Sequence, residues 1–243
     1  MKRFAILRFV YPLLLPAALL LAACGSPALS EEARAVPPPA LDASPAAGHA
    51  ARTAAFAGGC FWGMQWVFEH VRGVTDVTAG YSGGDRATAH YDRVGEGDTG
   101  HAESIEVKFD PSQVSYGQLL RVYFSVATDP TELNRQGPDT GTQYRGVIFY
   151  ADPQQEKIAR AYVAQLGAAH AFDAPIVTQV VPFKAFYPAE DYHQDYARLN
   201  PDAPYIAIND APKVTNLQRL LPQMYRTQPV IHHTGDAIAV QAL

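Results

Sequence analysis

A short apolar run, Thr53 to Ala57, leads directly into Gly58-Gly59-Cys60-Phe61-Trp62-Gly63. Beyond it, Met64, Val67, Phe68 and Val71 fall at the i, i+3, i+4, i+7 spacing of one helix face. A strand that turns through two glycines into a helix places Cys60 in the helix's first turn. Unpaired N–H groups and the positive end of the helix dipole meet there. Both favour thiolate over thiol, and the thiolate is the reactive form. A cysteine can equally be a small, inert, buried hydrophobe, and this stretch alone leaves both readings open.

The rest of the chain weighs on that choice. Lys2, Arg3 and Arg8 flank an apolar stretch, Phe9 to Leu21, that is interrupted by Pro12 and Pro16 and followed by Leu21-Ala22-Ala23-Cys24. That core is short for a spanning helix, which needs about 20 residues. Residues 1–23 therefore read as a lipoprotein signal peptide, cut to leave Cys24 acylated, with an uncleaved anchor or an ordinary secretory signal as the alternatives. The protein is expected to be exported and anchored by lipid to the cell envelope on the periplasmic side, at the outer membrane if the source is Gram-negative. Residues 24–52, rich in Ala, Pro and Ser with Pro37-Pro38-Pro39 at the centre, read as a disordered tether. Residues 53–225 suit one domain, and 226–243 read as a loosely held tail.

Only Cys24 and Cys60 occur in 243 residues, so an acylated Cys24 leaves a single thiol and no internal disulfide. Exported proteins usually pair their cysteines or do without them, which favours a functional Cys60. Without Lys2, Arg3 and Arg8, 16 basic residues face 24 acidic ones, a formal charge of −8. A surface of that sign has no footprint for nucleic acid or an anionic bilayer. The His232-His233 pair in the tail lacks fixed ligand spacing, so no metal is expected.

Further along, Val74 to Tyr81 reads as a strand ended by Gly80-Tyr81-Ser82-Gly83-Gly84, and the polar, Gly-rich run from there to Gly100 as a long loop of the kind that is usually functional. From His101 to Phe109, Ile105, Val107 and Phe109 alternate with Glu106 and Lys108, a strand with one buried face. Ser115 and Gln118 form a capping box for a helix presenting Tyr116, Leu119, Leu120 and Tyr123. Gln143 to Tyr150 reads as a strand. Asp152-Pro153 opens a helix carrying Ile158, Ala161, Tyr162 and Leu166, with Pro at its first position, and Pro175 to Val181 is a further strand. The first six elements have the βαββαβ order of a ferredoxin-like split unit. The expected fold is α/β (α+β): a two-layer sandwich with helices on one face of a mixed sheet, then a long irregular C-terminal segment with helical pieces at Tyr192–Leu199 and Leu217–Met224.

Five stretches carry a resemblance: Gly-Cys-Phe-Trp-Gly at 59–63, Gly-Tyr-Ser-Gly-Gly at 80–84, Gly-Asp-Thr-Gly-His-Ala-Glu at 97–103, Asn-Arg-Gln-Gly-Pro-Asp-Thr-Gly-Thr-Gln-Tyr-Arg at 134–145 and Phe-Tyr-Pro-Ala-Glu-Asp-Tyr-His-Gln at 186–194. Together, and in this order, they resemble the A-type peptide methionine sulfoxide reductases over roughly Ala54 to Tyr225. The resemblance implies reduction of methionine S-sulfoxide, free or in proteins, with Cys60 as nucleophile. It also implies Glu103 as proton donor, Tyr91 and Tyr144 as phenols that steady the oxygen, Phe61 and Trp62 as the wall receiving the methyl group, and Asp139 at the pocket rim. The chemistry is coherent: sulfoxide reduction needs a soft nucleophile for sulfur and an acid still protonated at neutral pH, which burial of a carboxyl provides. By their residues alone, Glu103 could be a strand-end surface carboxylate, Tyr91 and Tyr144 packing residues, and Asp139 a turn former; core packing of Phe61 and Trp62 is compatible with their role.

Attack leaves Cys60 as a sulfenic acid, which another thiol must reduce. Many family members use further cysteines near the C-terminus, where this chain has none. An external reductant, a thioredoxin-like protein or a small thiol, is therefore expected, with no bound cofactor and a monomeric protein. Gln65 and Thr128 stand where many members carry Glu and His. Two other readings remain: a Cys-His hydrolase pairing Cys60 with His101 or His193, and a tethered binding module in which Cys60 is merely buried.

Overall fold

The computed structural model describes residue 1, residues 33–43 and residues 51–232. The signal peptide, the acylation of Cys24 and His233 lie outside the described residues.

The chain begins its sheet with β1 (Arg52–Ala57) and continues through α1 (Phe61–Glu69), β2 (Val74–Ser82), the short α2 (Tyr91–Gly95) and β3 (Ala102–Phe109). It then forms α3 (Tyr116–Val122), a small hairpin of β4 (Arg135–Gln136) and β5 (Asp139–Thr140), β6 (Val147–Tyr150) and α4 (Pro153–Ala168). The strands β7 (Gln179–Pro182) and β8 (Phe186–Pro188) precede α5 (Tyr196–Leu199) and α6 (Ala211–Leu220). Six strands make one sheet in the order β7-β6-β1-β3-β2-β8. Its central four, β6-β1-β3-β2, are mutually antiparallel, the arrangement of a ferredoxin-like unit. The outer strands β8, antiparallel to β2, and β7, parallel to β6, extend it into a mixed sheet.

The two sheet faces are unequal. Phe56, Val77, Ile105 and Val107 meet Phe68 of α1, Leu119 of α3 and Leu166 of α4 in one large core, so these helices share one face as expected. The rings of Phe68, Tyr116 and Tyr123 pack around Phe56 at centroid distances of 5.5, 6.2 and 5.6 Å. Each such buried side chain stabilises the fold by roughly 1.5–3 kcal/mol. The opposite face carries only a small cluster of Ala55, Ala57, Ala102, Val147 and Phe149.

The helix starts follow the sequence signals. Ser115 accepts from Gln118 N–H at 3.1 Å while its own N–H donates to Gln118 Oε1 at 2.8 Å, a complete capping box. Asp152 caps α4, with Pro153 in its first turn. Several segments differ from expectation: the long loop before Gly100 contains α2, the strand expected over Pro175–Val181 runs Gln179–Pro182, and β8 has no counterpart in the expectation. Gln143 and Tyr144 form a tight turn rather than the start of a strand, so β6 begins only at Val147. The Tyr192–Leu199 piece is split by Asp195, which has a left-handed φ of 55°. The last helix starts at Ala211, not Leu217, because Pro212 is tolerated in a first turn.

The expected tether is corrected more substantially, because residues 33–43 are part of the fold. Val36 is buried at 2 % exposure. Tyr162 donates to Pro37 O at 2.6 Å, and Gln165 bonds both Ala40 N–H (2.8 Å) and Pro38 O (2.9 Å). Asp42 accepts from Gly117 N–H at 2.8 Å and from the Ser115 hydroxyl, adding a second carboxylate-type cap to α3. Prolines suit this role: their fixed φ lowers the entropy lost on docking, and their missing N–H groups need no partners. The tail likewise docks through residue 232. Arg226 N–H donates to His70 O at 2.8 Å, Val230 N–H to Glu69 O at 3.0 Å, and His232 Nδ1 lies 3.0 Å from Asp76 Oδ1.

Candidate active site

The Gly-Gly turn exists because the chain has no room for anything larger. Gly59 has φ +98°, in the left-handed region, and a Cβ there would meet Gln136 Cγ at 2.6 Å. The turn delivers Cys60 to the N-cap of α1, where its side chain makes no capping bond and is 9 % exposed. Thr128, at the family position often held by His, bonds Gln136 above this turn. Gln65 donates to Val77 O at 2.9 Å and accepts from Asp195 N–H at 2.9 Å, joining α1 to β2 and the C-terminal segment.

The thiol differs from the sequence expectation. Burial pushes the Cys60 pKa well above its ordinary value, and the charges of Glu103, Asp210 and Asp139 add to the shift. Only the Trp62 N–H opposes them. The helix terminus is therefore outweighed, and Cys60 rests as a neutral thiol.

Glu103 is placed by the period of β3. It lies on the same side as Ile105, Val107 and Phe109, facing the helix layer, and is only 4 % exposed. Its Oε2 accepts the Phe61 N–H at 3.0 Å, immediately after Cys60 in the chain. Burial raises its pKa to about 8, the Phe61 N–H pulls it down, and the charges of Asp139 and Asp210 push it up. A carboxyl with that value keeps its proton at neutral pH.

The two tyrosines named from the sequence converge here. Tyr91 begins α2, with its N–H donating to Glu190 Oε1 at 3.0 Å; burial raises its pKa, and the charges of Glu103 and Cys60 raise it further. Tyr144 is raised by burial, then by Glu103, Asp139 and Cys60. Both phenols stay protonated donors in the field of the same sulfur and carboxyl. Trp62 stacks on Tyr196 at 4.1 Å and donates through Nε1 to His193 Nδ1 at 3.2 Å. Phe61 is 1 % exposed, so its ring supports Trp62 from the core side, 6.3 Å away, while the more accessible ring is that of Trp62.

Asp139, half-buried on β5, accepts from the Tyr205 hydroxyl. Tyr205 and Asp210 are not read from the sequence. Both lie in the C-terminal segment and reach the site only through the tertiary fold. Asp210-Ala211-Pro212 carries the signal of a helix cap, yet the Asp210 side chain makes no cap bond. It is 1 % exposed and so close to α1 that a Cβ on Gly63 would overlap its carboxyl. Glu190 is a further residue missed: it accepts from the Tyr81 hydroxyl at 2.9 Å as well as from Tyr91 N–H.

Neither histidine proposed for a hydrolase pairs with the thiol. His101 is held at both nitrogens, by Gly84 N–H (3.2 Å) and Asp85 O (3.0 Å). His193 Nδ1 receives the Trp62 indole, and burial lowers its pKa.

The sheet and the Gly-Gly turn hold the Cys60 thiol next in the chain to the N–H that binds a buried carboxyl, one that keeps its proton. That pairing defines a class of cysteine enzymes that attack a substrate atom while delivering a proton to its neighbour. Comparison with known proteins makes the class specific. The family model described as peptide methionine sulfoxide reductase matches residues 52–224. Peptide methionine sulfoxide reductase MsrA 2 of Mesorhizobium japonicum is 58 % identical over 179 residues, covering 74 % of this chain and 92 % of that protein. The protein of the same name from Synechocystis is 50 % identical over 208 residues, covering 85 % and 97 %. Methionine sulfoxide reductase A of Corynebacterium diphtheriae superposes with a TM-score of 0.55 at 33 % identity, covering 73 % of this chain and 92 % of that one. The chain belongs to the peptide methionine sulfoxide reductase family, A type, and is an enzyme of the peptide-methionine (S)-S-oxide reductase class.

Proposed function

We propose that the protein reduces methionine S-sulfoxide, free or within polypeptides, through a Cys60 sulfenic acid that an external thiol recycles. The observation that carries this mechanism is the buried Glu103 carboxyl, protonated near neutral pH and bonded to the N–H that follows Cys60. The Cys60 sulfur forms a bond to the sulfoxide sulfur while Glu103 gives its proton to the sulfoxide oxygen. The S–O bond then breaks as the hydroxyl passes to Cys60. Methionine leaves reduced by two electrons and Cys60 remains oxidised by two. The proton shed by the thiol restores Glu103. Tyr91 and Tyr144 donate to the oxygen as charge builds on it, and such donors are commonly worth about 3 kcal/mol each. Trp62, backed by Phe61, receives the methyl group, and Asp139 with Tyr205 positions the substrate.

Cys60 is the single cysteine among the described residues and the only one besides Cys24 in the chain. With no second cysteine to resolve it, the sulfenic acid is reduced by a thioredoxin-like protein or a small thiol. The protein is monomeric, exported, and held by acylated Cys24 on the periplasmic side of the envelope. Palmitate labelling of cells should mark the protein and be lost in Cys24→Ala; labelling that survives the substitution contradicts the anchor.

The activity is tested with resolved sulfoxide epimers under multiple turnover, with thioredoxin, glutathione or no added thiol. The S epimer should be consumed beyond one equivalent per protein only with a thiol present, and the R epimer left unused. The oxidised, full-length protein should show by mass a Cys60 sulfenic acid or mixed disulfide. An internal Cys24–Cys60 disulfide would refute external recycling.

A further inference from the structure

A cavity of about 620 Å³ runs from Cys60, Asp139 and Tyr205 to Arg34 and Phe172. Cys60, Asp139 and Tyr205 line one part of it, so the cavity borders the reacting sulfur and two residues proposed to position the substrate. The volume is of the size that houses a drug-sized ligand and far exceeds one unbranched side chain. The outer wall is built by the docked N-terminal segment. Arg34 N–H donates to Ser125 O at 3.1 Å, and the Arg34 guanidinium bonds Ala171 O at 3.1 Å, pairs with Asp173 at 3.1 Å and lies 5.6 Å from the centre of the Phe172 ring.

We propose that this wall makes the site a groove for an extended polypeptide, seating an apolar side chain that neighbours the methionine sulfoxide in sequence. The inference rests on the reductase reading and names the class of substrate it favours. The character of the lining selects the occupant. Half-buried Phe172, exposed Pro138 and Ala174, and Ile208, which is 64 % exposed, give the groove its apolar surface. Contiguous apolar surface rimmed by polar residues marks a place that meets an apolar partner. Of the three cations that line the groove, Arg34 pairs with Asp173, Arg135 with Glu132 at 3.2 Å, and buried Lys213 acts on Asp139. Those pairs offer little to the carboxylates of a small acidic thiol, whereas an apolar side chain on a neutral backbone suits the lining. Residues 33–34 therefore do more than lead to the domain: they complete its substrate groove.

The test compares two blocked heptapeptides with a central methionine S-sulfoxide, one flanked by leucines and the other by serines, and uses free methionine S-sulfoxide as reference. The full-length protein should favour the leucine peptide in kcat/KM by about tenfold, the scale of partly burying one such side chain. Ile208→Ser, at an exposed position that cannot disturb the core, and Phe172→Ala should both bring the two peptides close to equal. Arg34→Ala should lower kcat/KM for the leucine peptide more than for free methionine sulfoxide. Equal use of the two peptides by the unaltered protein, or an undiminished preference in Ile208→Ser, would overturn the proposal. So would a change confined to the KM for the reducing thiol, which would make the groove the reductant's. Failure of the reductase reading gives a different result, no turnover of free methionine sulfoxide, and removes both.

Discussion

Cys60→Ser is expected to abolish reduction of methionine sulfoxide, lowering the single-turnover rate by roughly 10⁴–10⁶-fold, the scale of losing a nucleophile. A hydroxyl is too poor a nucleophile for sulfur and cannot carry the oxygen away as a sulfenic acid. The fold should not suffer. Cys60 is the N-cap of α1 and makes no capping bond, while serine is among the preferred residues there and could accept a bond from the first turn. Thermal unfolding should therefore occur at the same temperature as in the unaltered protein, or slightly higher. Inactivity together with a lowered melting temperature would leave the nucleophile role unsupported; retained turnover would end it.

Glu103→Gln carries the second large effect, and three readouts separate proton donation from packing. The amide has nearly the same shape and can still accept the Phe61 N–H, but it has no acidic proton. Turnover should fall about 10²–10⁴-fold, the contribution of general acid catalysis. Stability should move the other way. A carboxyl with a folded pKa of about 8, above its unfolded value of about 4.3, stabilises the fold fully below that unfolded value. This contribution is lost as pH rises towards and through 8. Glutamine avoids the loss, so the variant should be more stable at pH 8 by up to about 4 kcal/mol and indistinguishable at pH 4. The third readout is the thiol. The charge of Glu103 is, after burial, the largest influence raising Cys60, so alkylation of Cys60 by iodoacetamide should set in at lower pH in the variant. A more reactive thiol in a slower enzyme is the signature of a lost proton donor; slower alkylation alongside lower activity would point to mere disruption of the site.

The sequence reveals the parts of this site that local pattern controls. Period two along His101–Phe109 puts Glu103 on the buried side with Ile105, and the Gly58-Gly59 pair before an apolar helix places Cys60 at a helix start. The protonation state of the thiol is not legible locally. The helix terminus is visible in sequence, but the depth of burial outweighs it, and Glu103 and then Asp210, brought close by the tertiary fold, push the same way. Tyr205 is hidden for the same reason, since its bond to Asp139 joins a C-terminal turn to a distant hairpin. Residues 33–43 show a different limit. Their composition cannot form a core of its own, but Val36 and Asp42 need none: one fills a gap beside the helix layer and the other caps α3. Composition describes what a segment can bury within itself, not what a neighbouring surface offers it.

The central claim is transfer of one oxygen atom from substrate sulfur to Cys60. It is tested most directly by mixing reduced protein with an excess of methionine S-sulfoxide and no thiol, then counting methionine and weighing the protein. One equivalent of methionine per protein, a mass gain of a single oxygen at Cys60 and a dimedone adduct at that residue are predicted. Methionine formed while Cys60 keeps its unoxidised mass, or a thioester in place of the sulfenic acid, would contradict the account.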